Sequence, residues 1–180
     1  RRHDGGPGVG HGELTAVVDA GPLIHLFEIG RLQFLNHFDA LYLPDAVWGE
    51  TVGQGRVSEV DMSVLNNIQR HPIKAPEVEQ FIREKNLSAL HSGDQECLFV
   101  CLEQRIPIVL TDDMALRTAS KRFNITPVGS LGIVVAAFKW GEVSLEKAER
   151  YIADLYDVSS LFITRTIAEL AIDQLRATTK

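Results

Sequence analysis

Two short apolar runs, "LTAVV" at 14–18 and "IPIVLT" at 106–111, lead straight into acid: Asp19 follows the first, and the pair Asp112 and Asp113 follows the second. Apolar, β-branched runs of this kind suit strands covered on both faces, the environment of a parallel sheet. Each is followed by a helical pattern, as the crossover between parallel strands requires. In an open α/β sheet the carboxyl ends of the strands converge on one crevice, so acids far apart in sequence meet there. Glu50 in "PDAVWGE" and Asp94 in "HSGDQE" hold comparable places, on or at the opening of a helix. Like charges crowded in this way repel unless a divalent cation holds them, and an all-carboxylate set favours a hard ion, Mg²⁺ or Mn²⁺.

The rest of the pattern predicts an α/β, three-layer fold with a central, mostly parallel sheet and C-terminal helices. Pro22 in a first turn and Gly30 at an end frame a helix with Leu23, Ile24, Phe27 and Ile29 on one face. A brief helix "LQFLNHF" leads to the strand "ALYL", and Pro44 opens a helix carrying Trp48 and Glu50. "GQGRVSEV" reads as a loop and residues 58–69 as helical, with "PIKAP" as an edge strand bracketed by Pro72 and Pro76. "EVEQFIREKN" is an amphipathic helix, and Ser92 with Gln95 forms a capping box ahead of "CLFVCL". "MALRTASKRF", the strand "ITPV", the apolar helix "LGIVVAAFKW" ended by Gly141, and helices at 144–156 and 161–176 complete the chain. Residues 14–141 are therefore expected to form the α/β domain. Residues 142–180 are expected to be a helical extension that packs on it or dimerises it, through Tyr151, Leu155, Tyr156, Leu161 and Phe162. The glycine-rich residues 1–13 read as a flexible tail.

Composition narrows the partners. With 18 Lys and Arg against 24 Asp and Glu, the net charge of -6 excludes a broadly basic coat for nucleic acid but leaves room for a local basic rim. Cys97 and Cys101, spaced i,i+4 beside Leu98 and Leu102, read as buried small hydrophobes in a reducing, cytoplasmic setting. The longest apolar stretch, at 131–138, falls far short of the roughly 20 residues of a membrane span, and no signal-peptide pattern opens the chain, so no membrane association is expected. His25, His37, His71 and His91 lack paired zinc spacing and read as core, cap or surface residues.

Each acid has an ordinary role open to it. Asp19, Asp94, Glu96 or Asp112 could cap or complement a helix start. The combination is what points to a site: an adjacent Asp pair after the most apolar strand, and an Asp after the first. Phosphodiester hydrolysis suits such a set, because a cation polarises the phosphoryl group and a neighbouring carboxylate can take the proton of the attacking water.

Four segments in order, "AVVDAGPLIHLFEIGRLQFL", "LYLPDAVWGE", "LHSGDQECLFVCL" and "IPIVLTDDMALRTASKRFNITPVGSLGIVVAAFKWG", resemble the PIN domain, most closely its bacterial and archaeal branch related to toxin-antitoxin ribonucleases. The resemblance runs from about Val17 to Gly141. It implies a Mg²⁺- or Mn²⁺-dependent endoribonuclease acting on RNA, the toxin of a toxin-antitoxin pair; the apolar residues of the C-terminal helices offer a surface for a homodimer or an antitoxin protein, or else close the core. Position by position, Asp19 matches the first-strand Asp, Glu50 the Glu after the second strand, and Asp94 the acid opening the later helix. The closer branch has Glu after Gly where this chain has Asp94 after Gly93, a shorter arm with the same charge. "TDD" matches the final acidic motif, with either Asp112 or Asp113 facing the metal, because neighbours at a strand exit point different ways. The resemblance gives Thr111 a role in positioning water or phosphate. It also favours Arg117, which with Lys121 one helical turn on would form a phosphate-binding rim. Glu96, roughly 200° around the helix from Asp94, falls off the ligand face.

Two other classes compete. A Mg²⁺-dependent phosphatase or phospho-acceptor domain would place a second Asp two residues after the first and a Lys beyond a later strand. Here Ala20 and Gly21 follow Asp19, and "TPVGS" holds no Lys. A non-catalytic PIN-like binding module is the other alternative, and the filled acidic positions speak against a decayed site.

Overall fold

The computed structural model describes residues 12–179, so the expected tail lies, up to residue 11, outside the described residues. Five strands, β1 (Thr15–Val18), β2 (Ala40–Pro44), β3 (Ile68–His71), β4 (Ile108–Leu110) and β5 (Thr126–Val128), form one sheet in the order β3-β2-β1-β4-β5. Every neighbouring pair is parallel. The chain moves outward from β1 to β3, then returns to β4 on the other side of β1. The strand order therefore reverses between β1 and β4, which is where a parallel sheet opens its crevice. Ala16, Val17 and Val18 are wholly buried, as a central strand covered on both faces must be.

The helices are α1 (Ala20–Glu28), α2 (Asp45–Trp48), α3 (Glu59–Met62), α4 (Ala75–Lys85), α5 (Ser92–Glu103), α6 (Met114–Arg122), α7 (Ser130–Lys139), α8 (Leu145–Asp157) and α9 (Arg165–Ala177). The sheet and its flanking helices make a three-layer α/β fold. Against β1, β2 and β4 lies α5, with α4 beside it, while α1 packs with α7, α7 with α8, and α8 with α9. One hydrophobic core joins Leu23 and Leu26 of α1 to Leu98 of α5, Ile133 of α7, Ile152 and Leu155 of α8 and Leu175 of α9. The buried face of α1 includes Leu26, which the sequence pattern missed, while Phe27 and Ile29 are only partly covered. Gly30 ends the helix at φ +67, a conformation glycine adopts without a Cβ penalty. Cys97 and Cys101 are buried free thiols. No helix among the described residues is long and apolar enough to cross a membrane.

Three expectations are corrected. Residues 58–69 are not one helix: only Glu59–Met62 is helical, and the edge strand is Ile68–His71 rather than "PIKAP". The strand ends before Pro72, which has no N–H to give a ladder, and Pro76 sits in the first turn of α4. Ser92 does not cap α5. It is the first helical residue, His91 is the N-cap, and the Gln95 amide donates instead to the Leu87 and Leu90 carbonyls at 3.0 Å each. The last helix begins at Arg165, because Thr164 caps it by accepting from the Ile167 N–H, and residues 161–164 are left as a connecting loop.

Candidate active site

At the carboxyl end of β1 the Asp19 N–H donates to the Leu110 carbonyl at 2.9 Å, which locks the end of β1 to β4. The Asp19 carboxylate then turns into the crevice. Its Oδ1 accepts from the Ala20 N–H at 2.7 Å, capping α1, and its Oδ2 accepts from the Thr111 hydroxyl at 2.8 Å. Thr111 is fully buried at the exit of β4, and its Oγ1 also accepts from the Asp113 N–H at 3.1 Å. One hydroxyl thus ties the acid of the first strand to the acidic turn of the fourth. Only 6% of Asp19 is exposed. Burial pushes its pKa up to about 6, with Glu50 and Asp113 adding to the rise against the lowering effect of its two hydrogen bonds.

Asp94 lies in the first turn of α5 and is also 6% exposed. Its pKa is raised to about 7, first by burial and then by the charges of Asp19 and Asp113. Glu50 comes from a single π-helical turn, Gly49–Gly53, that follows α2; such turns recur at functional sites. Its carboxylate approaches α5 so closely that a Cβ at Gly93 would stand 2.7 Å from Oε1. The glycine before Asp94 is therefore what lets two acids from separate segments face each other.

The two aspartates that sequence alone leaves open are doing different things. Asp112 is engaged on both oxygens: Oδ1 accepts from the Ser130 N–H at 2.7 Å, and Oδ2 takes the Ser130 hydroxyl at 2.6 Å and pairs with His25 Nδ1 at 2.7 Å. It joins the exit of β4 to the start of α7 and to α1. Asp113 is exposed, and it, not Asp112, caps α6, accepting from the Leu116 N–H at 2.8 Å through Oδ1. Asp113 is also the member of the pair whose charge Asp19 and Asp94 feel. Glu96 points away: its carboxylate accepts from the Ala46 N–H at 2.7 Å at the start of α2, and burial raises its pKa.

All five acids, Asp19, Glu50, Asp94, Asp112 and Asp113, line one cleft of about 600 Å³. His25, His91, Arg56, Leu161 and Phe162 line it too, and sequence reasoning had not assigned them to it. His25, on the helix that Asp19 caps, and His91, the N-cap of α5 three positions before Asp94, carried a faint signal, whereas Arg56, Leu161 and Phe162 lie on loops that the fold brings near. Arg117 lines an adjoining cavity rather than this cleft, and its Nη1 donates to the Thr111 carbonyl at 3.2 Å. Lys121 is exposed in the last turn of α6 and lines neither cavity. Among the described residues, no group of three or more His, Cys, Asp or Glu stands in an arrangement that would hold a metal ion as it is. The acids ring the cleft instead of closing on a point.

A wholly parallel α/β sheet with an acidic cleft at its point of strand reversal defines a class of α/β domain that binds its ligand at the carboxyl edge of the sheet. The family comparison specifies it: a model of the PIN domain matches residues 15–177, and the chain belongs to that family. The match extends beyond the segments that carry the resemblance and takes in the whole of α8 and α9. No curated protein and no solved structure matches the chain.

Proposed function

We propose that this protein is a divalent-metal-dependent endoribonuclease that hydrolyses RNA phosphodiester bonds, in the toxin role of a toxin-antitoxin pair. The observation that carries the catalytic part is the convergence of acids from separate segments on one cleft, two of them buried and both with raised pKa. The toxin role and an antitoxin protein as partner rest on the branch that the motifs resemble, and a homodimeric state on the apolar residues of the C-terminal region. The reducing, cytoplasmic location rests on the two buried free thiols.

The donor set fits a hard divalent cation such as Mg²⁺ or Mn²⁺. It consists of oxygen donors, and a cation would relieve the repulsion that burial sharpens. Asp19, Asp94 and Asp113 would hold it, with Asp112 behind Asp113. When bound, the ion supplies charge for a phosphoryl oxygen and a water of lowered pKa. Thr111 orients Asp19 through its hydroxyl and fixes the turn that carries Asp113. Glu50, across Gly93 from Asp94, takes the proton of the attacking water. Asp112 keeps the turn rigid through Ser130 and His25, and Arg117 and Lys121 contact RNA phosphates beyond the cleft.

The test is cleavage of a single-stranded RNA by freshly purified protein with Mg²⁺ or Mn²⁺ and with excess EDTA. Turnover should stop on chelation, and Asp94→Asn should lose both turnover and the Mg²⁺-induced rise in melting temperature. Undiminished cleavage in EDTA, or an Asp94→Asn variant that keeps both properties, would overturn the metal mechanism.

A further inference from the structure

We infer that Phe162 is a stacking platform for an unpaired nucleobase of the substrate, held in the apolar groove that adjoins the acidic cleft; this rests on the ribonuclease reading. Phe162 is 96% exposed, more than any other large hydrophobic side chain among the described residues. An exposed aromatic on a loose loop would mean little, but this loop is tied down on the side that leads into Phe162. The Ser160 N–H and hydroxyl donate to the Glu28 carboxylate at 2.6 Å and 2.9 Å, and the Ser159 hydroxyl donates to the Leu155 carbonyl at 2.6 Å while accepting from the Leu161 N–H at 3.2 Å. Thr164 then caps α9 just beyond. The ring is thus presented to solvent by a braced backbone, and little ordering remains to be done when something stacks on it.

Its position names the occupant. Phe162, Leu161 and Asp112 line both the acidic cleft and a second cavity of about 400 Å³, so the two adjoin. The second cavity is apolar on Met114, Leu131 and Ile167, with the half-buried Arg117 as its cation. A nucleotide has the matching division: a phosphate for a cation held by the acids, and a flat base with an apolar face for the groove. Stacking on aromatic rings tolerates any base, because each has a π-face.

The experiment is steady-state cleavage of a short single-stranded RNA in Mg²⁺ by the wild-type protein and by Phe162→Ala, Phe162→Tyr and Phe162→Leu. Metal-free binding of the same RNA is read in parallel by fluorescence anisotropy. Because the ring packs on almost nothing, these variants fold as the wild type does. Phe162→Ala should lower kcat/KM about 5- to 150-fold, chiefly through KM, with a matching loss in binding. Phe162→Tyr should stay near wild type, and Phe162→Leu should resemble Ala. One abasic substitution in the RNA should weaken the wild type by a similar factor and leave Phe162→Ala unaffected. Unchanged KM and binding in Phe162→Ala would overturn the platform and return the patch to a contact for another protein. Full rescue by Leu would overturn stacking in favour of plain apolar contact. If the wild type cuts no RNA, the ribonuclease reading falls on that result alone; the binding arm still decides whether Phe162 takes a base.

Discussion

Replacing Asp19 by Asn removes one charge from a buried acid of the cleft while preserving its shape. The rise in pKa from 3.8 to about 6 corresponds to about 3 kcal/mol, at 1.36 kcal/mol per unit, by which the fold prefers the neutral carboxyl over the charged one. The sign follows from the direction of the shift. For a raised acid, the stabilising contribution is complete below the unfolded pKa near 3.8 and is lost as pH climbs through about 6. The metal-free wild type is therefore weakened at neutral and alkaline pH, and Asn escapes that penalty. Part of the gain is offset. Asn Oδ1 can still accept the Ala20 N–H, but the Thr111 hydroxyl loses its carboxylate acceptor, at a cost of about 1 kcal/mol. The net expectation at about pH 8 in EDTA is a gain of about 2 kcal/mol, or about 4–8 °C in melting temperature for a chain of this size. At about pH 4 the gain should vanish or turn into a small loss, because the folded wild-type carboxyl is then protonated and only the weakened Thr111 contact remains. Melts at the two pH values, with and without Mg²⁺, measure it, and Mg²⁺ should raise the wild type more than the variant. A variant that melts at or below wild type at about pH 8, or one with the same difference at both pH values, would show that burial of charge at Asp19 is not the controlling term.

The glycines flanking the acids give a paired prediction. Gly93→Ala puts a Cβ 2.7 Å from Glu50 Oε1, the free end of a flexible side chain, so turnover should fall about 10²-fold or more while the melting temperature holds; full turnover would remove Glu50 from the chemistry. Gly129→Ala meets Asp112 Oδ1 at 2.8 Å and Arg117 Nη1 at 3.2 Å, both already hydrogen-bonded, so it should lower the melting temperature as well. For the basic rim, Lys121→Ala should reduce the log-log salt slope of single-stranded RNA binding by about 0.7, and the double variant with Arg117→Ala by about 1.4; equal slopes would return Lys121 to a solvated face and leave the RNA path elsewhere.

How much could be read in advance depended on whether a residue's role was set by its neighbours in sequence or by distant ones. The runs that became β1 and β4 were legible because a strand covered on both faces must be apolar throughout, and the helix signals at Pro22 and Gly30 were local chemistry. The edge strand Ile68–His71 was not legible: its burial is partial at both ends and absent in the middle, so nothing in "IQRH" separates it from a surface turn. The acids were found because strand exits converge in any parallel sheet. The difference between Asp112 and Asp113 was not, since it is made by Ser130 and His25, 18 and 87 positions away from Asp112. The C-terminal region shows the same limit most plainly. Tyr151, Leu155, Leu161 and Phe162 read alike as apolar residues that either close the core or meet a partner. A helix starting at 161 would have turned some of them inward together. That helix begins instead at Arg165, capped by Thr164, which leaves Phe162 on the connecting loop that lines the acidic cleft, while Tyr151 and Leu155 close the core from α8. The Thr164 hydroxyl contributes to where α9 begins, about 1 kcal/mol for a cap of this kind, and Thr164→Ala tests whether Phe162 keeps its exposure once that cap is lost, without touching the ring itself.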